Sequence, residues 1–413
     1  MGRARPGAGP DENSRGGTGL RAAVLGPTYP IRGGISHYTT LMVRAMRDEH
    51  DVLFVSYMKQ YPDFLFPGRS QNDDSSEPIE TECLRLVSFF NPLSWIRAAR
   101  LIADHEPDVL IVSWVNPALA IQFRCITGLV RRKSPRTRIV FWCHNVAQHE
   151  RLPLNTALTG FAFEHADHFV VTCRDSEKNL KAMLPRSEVS VAYLPSLDVF
   201  AGGPSKSVRE SHGIDDGDPV ALYFGFVRPY KGLQHLIEAM PAALARVPDL
   251  HLLVVGEFWE GREACDEAVR GNGLSDRVTI VDRYVPNEEV AGYFESADLV
   301  VLPYVSATGS GIVQMAYAFG KPVLTTRVGS LPEVVDDGST GILVEPGDPA
   351  AIASAISDFF ESGRAPEFAA NIAEASERFS WEAFIDEVEA IAGGGGAGHR
   401  GEPHVGGTTW MEP

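Results

Sequence analysis

YVSATGSGIVQMAYAFGKPVLTTRVGSLPE, residues Tyr304 to Glu333, is the stretch on which the reading of this chain turns. It begins where the apolar run Leu299 to Pro303 reads as a buried parallel strand. The chain then passes through small residues, Ser306 to Gly311, into an apolar segment, Ile312 to Phe319, long enough for a short helix. The first amides of a helix have no partner inside it, and the helix dipole adds partial positive charge there. Glycine and serine at such a point let a phosphate come close to the bare N–H groups. After Gly320 the run KPVLTT gives another strand, and Gly329 opens a turn before LPEVV. Strand, phosphate-ready loop, helix, strand: the order suits the diphosphate of a sugar nucleotide.

Working outward, short β-branched runs alternate with helical patterns in two series. The first has strand-like runs at Ala22–Leu25, Val52–Val55, Val109–Val112, Ile139–Trp142, Phe169–Thr172 and Val189–Tyr193. The second has Val220–Phe224, Leu252–Val255, Val278–Val281, Leu299–Leu302, Val323–Thr325 and Gly341–Val344. Strands separated by helix-length segments predict parallel sheets covered on both faces, and two series predict an α/β protein of two doubly wound, Rossmann-like domains. The 413 residues fit two cores better than one. The expected units are a first domain over 20–200 and a second over 201–376, then a helix over 377–392. The polar, turn-rich stretch from Phe200 to Asp218 joins the domains. Gly-, Pro- and Arg-rich ends, 1–19 and 393–413, read as disordered tails. A ligand belongs in the cleft between the domains, at the carboxyl ends of both sheets.

A net charge of −17 argues against a nucleic-acid partner, since a polyanion is repelled. No run approaches the length of a membrane-spanning helix, and the N-terminal stretch lacks the apolar core of a signal peptide. The five cysteines are odd in number and lack CxxC spacing, so they read as small buried hydrophobes in a reducing compartment. The expected location is cytoplasmic. One basic segment, Arg124 to Arg138, follows the apolar Ala118–Phe123 and is a candidate for peripheral contact with an anionic membrane at its inner face.

The residue types at the strand ends point to phosphate chemistry. Arg228 and Lys231, in FGFVRPYKG, follow Val220–Phe224 and place two cations at the cleft, where they would neutralise a departing diphosphate. Ser310, Gly311, Ile312 and Val313 offer backbone amides to the same group. His144 and Asn145 follow Ile139–Trp142, again at a carboxyl end, with His149 and Glu150 after them. The spacing of His144 and His149 suits no regular zinc helix, so no metal ligands are assigned. Asp216-Gly217-Asp218 is only superficially an Asp-x-Asp metal motif and reads as a solvated turn. Gly33 and Gly34, in IRGGIS, do not form GxGxxG, which speaks against a dinucleotide oxidoreductase.

Four segments in this order, GPTYPIRGGISHYT, CHNVAQHE, FGFVRPYKGLQHLIEAM and the Tyr304–Glu333 stretch, resemble retaining glycosyltransferases of family four, which have the GT-B fold. The resemblance runs from about Arg21 to Ile391 and implies a metal-independent, cofactor-free transferase using a nucleotide sugar, UDP-linked by family habit, and an acceptor hydroxyl. It implies that Arg228 and Lys231 contact the donor phosphates, that His144 hydrogen-bonds the donor sugar, and that the Gly33–Gly34 loop closes over the phosphates. It places the nucleotide base beside Arg283, Tyr284 and Val285, and the last helix back on the first domain. One departure stands out. The family's two glutamates, seven residues apart, fall near Ser306 or Ala307 and on Gln314 or Met315, and neither is present. Thr308 and Gln314 are the uncharged candidates to bind the hydroxyls instead. A nucleotide-sugar-binding protein without activity, a GT-B epimerase, and an inverting enzyme using Glu150 therefore stay open as rivals. The loops expected to choose the acceptor, Lys59–Ser76 and Phe89–Trp95, carry no readable motif.

Overall fold

The computed structural model describes residues 19–62, 68–145, 153–201 and 208–394. His149 and Glu150, most of both tails and residues 202–207 of the joining stretch lie outside them. Two parallel sheets form the frame. The first contains β1 (Arg21–Leu25), β2 (Asp51–Lys59), β3 (Leu84–Ser88), β4 (Val109–Trp114), β5 (Arg138–Cys143), β6 (His168–Val171) and β7 (Glu188–Val191), in the order β3-β2-β1-β4-β5-β6-β7. The second contains β8 (Val220–Phe224), β9 (His251–Val255), β10 (Val278–Val281), β11 (Leu299–Leu302), β12 (Val323–Thr326) and β13 (Gly341–Val344), in the order β10-β9-β8-β11-β12-β13. Every pairing is parallel; Val24, for example, faces Phe54 on one side and Ile111 on the other.

Central strands such as β4, β8 and β9 are buried along their whole length, as continuous β-branched runs predict. The edge strand β3 escapes the sequence reading because LRLVS is short, polar at its second position and buried only at Val87. In each sheet the strand order reverses beside the first strand, between β1 and β4 and between β8 and β11. Those two switch points create crevices at the carboxyl ends, and the cleft joins them.

The last helix, Trp381–Ala392, is capped by the Ser380 hydroxyl, which accepts from the Ala383 amide at 3.1 Å. It packs on the first domain: Phe384 meets Trp142 with ring centroids 4.7 Å apart, and Trp381 lies 6.2 Å from Tyr38. Apolar packing continues across the seam, one buried cluster taking in Tyr38, Trp142 and Phe200 with Val290, Val313 and Met315, and hydrogen bonds add to it. The amide of Asn287 donates to the Ser75 hydroxyl at 2.9 Å, and Ser76 donates to Glu288 at 2.6 Å. Glu333 accepts at 3.1 Å from the amide of Arg174, where the helix Arg174–Met183 begins in the other domain. Within the Lys59–Ser76 loop expected to choose the acceptor, Ser75 and Ser76 thus bond to the second domain. The five cysteines are free; Cys143, Cys173 and Cys265 are buried, whereas Cys83 and Cys125 are only half-buried.

Candidate active site

The cleft is floored by the ends of β8, β9 and β11 and roofed by the loop before the helix Gly34–Met46 and the end of β5. Gly33 has φ +116°, a backbone conformation open to glycine, and open space where a side chain would stand. A ligand can therefore reach the main chain at Gly33 and Gly34, both of which line the cleft.

Lys231 comes from the 3₁₀ turn Pro229–Lys231 and reaches back over the end of β8. Its ammonium would stand 3.2 Å from a Cβ on Gly225, a point that is also 3.7 Å from Ile312, and it lies 5.4 Å from the Tyr304 ring centroid. The cation and the Ile312 side chain, in the first turn of the helix Gly311–Ala318, thus border the same point beside Gly225. Burial lowers its pKa, and the neighbouring charge of Arg228 adds to that. Arg228 itself departs from expectation. Its guanidinium lies 4.6 Å from the Trp259 ring centroid and borders the adjacent depression around His235 and Glu260, not the cleft.

Ser310, Gly311 and Ile312 line the cleft, but Val313 and Gln314 do not. Both point inward, 1% and 2% exposed, because helical phase turns Gly311, Ile312 and Met315 toward the cleft and the two between them toward the core. Two of the four expected amides are also engaged: Ile312 donates to the Ser310 hydroxyl and Val313 to the Ser310 carbonyl, each at 3.3 Å. Met315 and Ala307 line the cleft where the resemblance would put glutamates, so those positions are occupied by neutral side chains.

From the first domain, His144 lines the cleft with its ring 4.3 Å from Trp142 and its Nε2 buried without a protein partner among the described residues. Burial pushes its pKa down to about 3, so the imidazole is neutral and suited to exchanging hydrogen bonds with a ligand hydroxyl. Asn145 and Thr308 are bonded to each other across the cleft, the threonine hydroxyl donating to Asn145 Oδ1. Tyr284 and Phe226 form a stacked aromatic pair 6.2 Å apart, while Arg283 borders the cleft with its guanidinium held by Glu289.

Among the residues that sequence reasoning missed are the cleft-lining Tyr38, Thr172 and Glu257, and Arg32 beside them. Arg32 forms a two-pronged ion pair with Glu257, at 2.8 and 3.0 Å, with side chains 3% and 2% exposed. Its guanidinium also lies 5.6 Å from Phe226 and 5.1 Å from Tyr284. Tyr38 and Thr172 bring buried hydroxyls without protein partners among the described residues. Among those residues no group of three or more His, Cys, Asp or Glu is placed to hold a metal ion, and no helix is long and apolar enough to cross a membrane.

The basic segment is largely committed within the protein. Arg124 pairs with Glu164 at 2.7 Å, Arg138 with Glu188 at 2.6 Å, and Arg131 with Asp167. Arg132, Lys133 and Arg136 remain exposed, but in the apolar flank Leu119, Ala120 and Phe123 are buried, and Ile121 is the one large apolar side chain exposed there.

Comparison with known proteins agrees with this architecture. Residues 32–195 match the model described as Glycosyltransferase Family 4, and residues 218–362 the model described as Glycosyl transferases group 1. A similar relative is the GDP-mannose-dependent alpha-(1-6)-phosphatidylinositol monomannoside mannosyltransferase of Mycolicibacterium smegmatis, 27% identical over 354 residues, 81% of this chain and 87% of the relative. The D-inositol 3-phosphate glycosyltransferase of Corynebacterium diphtheriae is 27% identical over 242 residues, and the match spans 56% of each chain, about half the relative's length. Among solved structures, HepE of Anabaena in complex with UDP-glucose aligns with a TM-score of 0.68 at 18% identity, covering 91% of this chain and 100% of that one. Sucrose-phosphate synthase of Thermosynechococcus elongatus aligns with a TM-score of 0.67 at 20% identity, covering 90% and 98%. At such identities the structural likeness establishes the fold.

Proposed function

The chain belongs to the family-4 glycosyltransferases of GT-B fold, and we propose that it is a retaining, metal-independent enzyme that moves a sugar from a nucleoside-diphosphate donor to an acceptor hydroxyl. The observation that carries the reading is convergence. Lys231 and the start of the Gly311 helix meet at one point of the cleft, and the neutral His144 of the other domain lines the same space. In this reading the bond from the sugar's anomeric carbon to the phosphate oxygen breaks as the acceptor oxygen bonds to that carbon on the same face. The acceptor's proton passes to the departing phosphate, so no protein base is required. Lys231 and the helix amides stabilise the charge that develops on the diphosphate, and His144 holds a hydroxyl of the transferred sugar.

The nucleotide is assigned by test. UDP follows the family habit, while the relative aligned over 81% of this chain is named for GDP-mannose, so both sets of sugars belong in a thermal-stabilisation screen. The stabilising donor is then assayed for product and anomeric configuration with excess EDTA present. We expect turnover to persist under chelation, with retained configuration. Loss of activity that magnesium or manganese restores would remove the metal-independent mechanism. Stabilisation without product would instead select a binding protein, the second reading that neutral Ala307 and Met315 favour.

The acceptor named for that relative is a lipid, so we propose weak contact of Arg132, Lys133 and Arg136 with an anionic surface. Three basic side chains at about 1 kcal/mol each give binding that is visible at low salt and fades near physiological ionic strength. Co-sedimentation with phosphatidylserine vesicles should show this pattern and should vanish when all three become glutamine. Equal recovery in the supernatant with and without vesicles at low salt would rule the contact out.

A further inference from the structure

Tyr38 lies one turn into the helix Gly34–Met46, and its ring is held from three sides. Trp142 meets it edge-on at 6.4 Å, His144 is tilted against it at 6.3 Å, and Trp381 of the last helix lies at 6.2 Å. Packing accounts for the ring but not for the hydroxyl. The residue is 2% exposed, and its oxygen has no hydrogen-bond partner among the described residues. A buried hydroxyl left without a partner destabilises the fold, and phenylalanine would give the same ring contacts without it.

The hydroxyl is directed across the seam between the domains. A Cβ built on Gly311 would stand 3.3 Å from the Tyr38 oxygen and 3.1 Å from its Cε2. Gly311 is the first residue of the helix Gly311–Ala318, and a first-turn amide has no partner inside its helix. An unpartnered phenol from one domain and the Gly311 end of a helix from the other therefore border the same small space, which the missing side chain of Gly311 keeps open. Burial raises the phenol's pKa far above its ordinary value, so the group is a hydrogen-bond donor and not a base.

We infer that Tyr38 donates a hydrogen bond to the distal phosphate of a nucleoside diphosphate bound at the start of the Gly311 helix, holding the leaving group from the first domain while Lys231 holds it from the second. The inference rests on the diphosphate site proposed above. It adds a consequence: the Tyr38 contact forms only when the two domains are together, so the distal phosphate itself favours closure.

Calorimetric titration of the full chain with UDP and UMP, and with GDP and GMP, tests this. For the base that the unmodified protein binds, Tyr38→Phe should weaken the diphosphate by about ten- to hundredfold, the range for a hydrogen bond to a charged group. Monophosphate affinity should stay the same, and the melting temperature should hold or rise. A merely structural tyrosine would change both nucleotides alike, and that result overturns the inference. Unchanged diphosphate binding overturns it too, while leaving the proposed function intact. If the unmodified protein binds neither diphosphate, the proposed function falls and this inference with it.

Discussion

Replacing Lys231 with alanine is expected to cut turnover at saturating donor while leaving the melting temperature unchanged or raised. Loss of one preorganised charge contact to a leaving group costs about 3 kcal/mol in the barrier, about a hundredfold in rate. The stability half of the prediction comes from the same burial. Desolvation lowers the Lys231 pKa, so the folded protein disfavours the charged form relative to the unfolded chain, and near neutral pH the ammonium weakens the fold. In the proposed function the anionic leaving group offsets that cost when it binds. Opposite movements of rate and stability separate this role from that of a structural lysine. Arg228→Ala is the internal comparison. Its guanidinium is stacked on Trp259 away from the cleft, so its loss should reduce turnover less than loss of Lys231. Near-normal turnover of Lys231→Ala would refute the diphosphate assignment.

The contrast between Lys231 and Arg228 shows where the sequence is legible. Strands β8, β10, β11 and β13 are apolar runs between turns, and their bounds read directly. The parts of the site carried by the main chain read equally well, since a glycine at φ +116° or a serine at a helix start has local causes. Where a long cation points is decided elsewhere. Trp259 draws Arg228 aside, and nothing in VRPYKG encodes that. Gln314 fails for a different reason. Counting by helical turns from Gly311 leads to Met315, so the phase that hides Gln314 is legible in the sequence, and only its chemical likeness to a glutamate points the other way. Tyr38 stood within a segment that already had meaning, yet only the fold brings its hydroxyl to Gly311. Arg32 lies in the same segment, and its partner Glu257 is in the other domain. No local pattern joins them.

That pair supports the other large effect, expected from Arg32→Ala. The guanidinium meets both oxygens of Glu257, which also accepts from the Arg69 amide at 2.8 Å, and both side chains are almost wholly buried. Removing one partner of a buried ion pair leaves an uncompensated charge and typically costs about 3–5 kcal/mol. In a single domain that cost would appear as unfolding. Here the two charges sit on opposite sides of the cleft, and each sheet has apolar packing of its own, around Phe141 and Trp114 in the first and around Leu252 and Ile356 in the second. The less costly response is for the domains to part and let water reach Glu257. We therefore expect Arg32→Ala to raise the radius of gyration seen by small-angle scattering and to raise the donor KM at least tenfold, with only a modest fall in melting temperature; tenfold corresponds to about 1.4 kcal/mol of lost closure. Arg32→Lys should rescue little, because a single ammonium cannot reproduce the two-pronged contact. Adding Glu257→Gln to Arg32→Ala removes the stranded charge and should recover part of the closure, which a double-mutant cycle measures directly. Unchanged scattering and unchanged KM in Arg32→Ala would show that the pair does not hold the cleft shut, and that closure rests on the hydrogen bonds around Asn287 and Glu333.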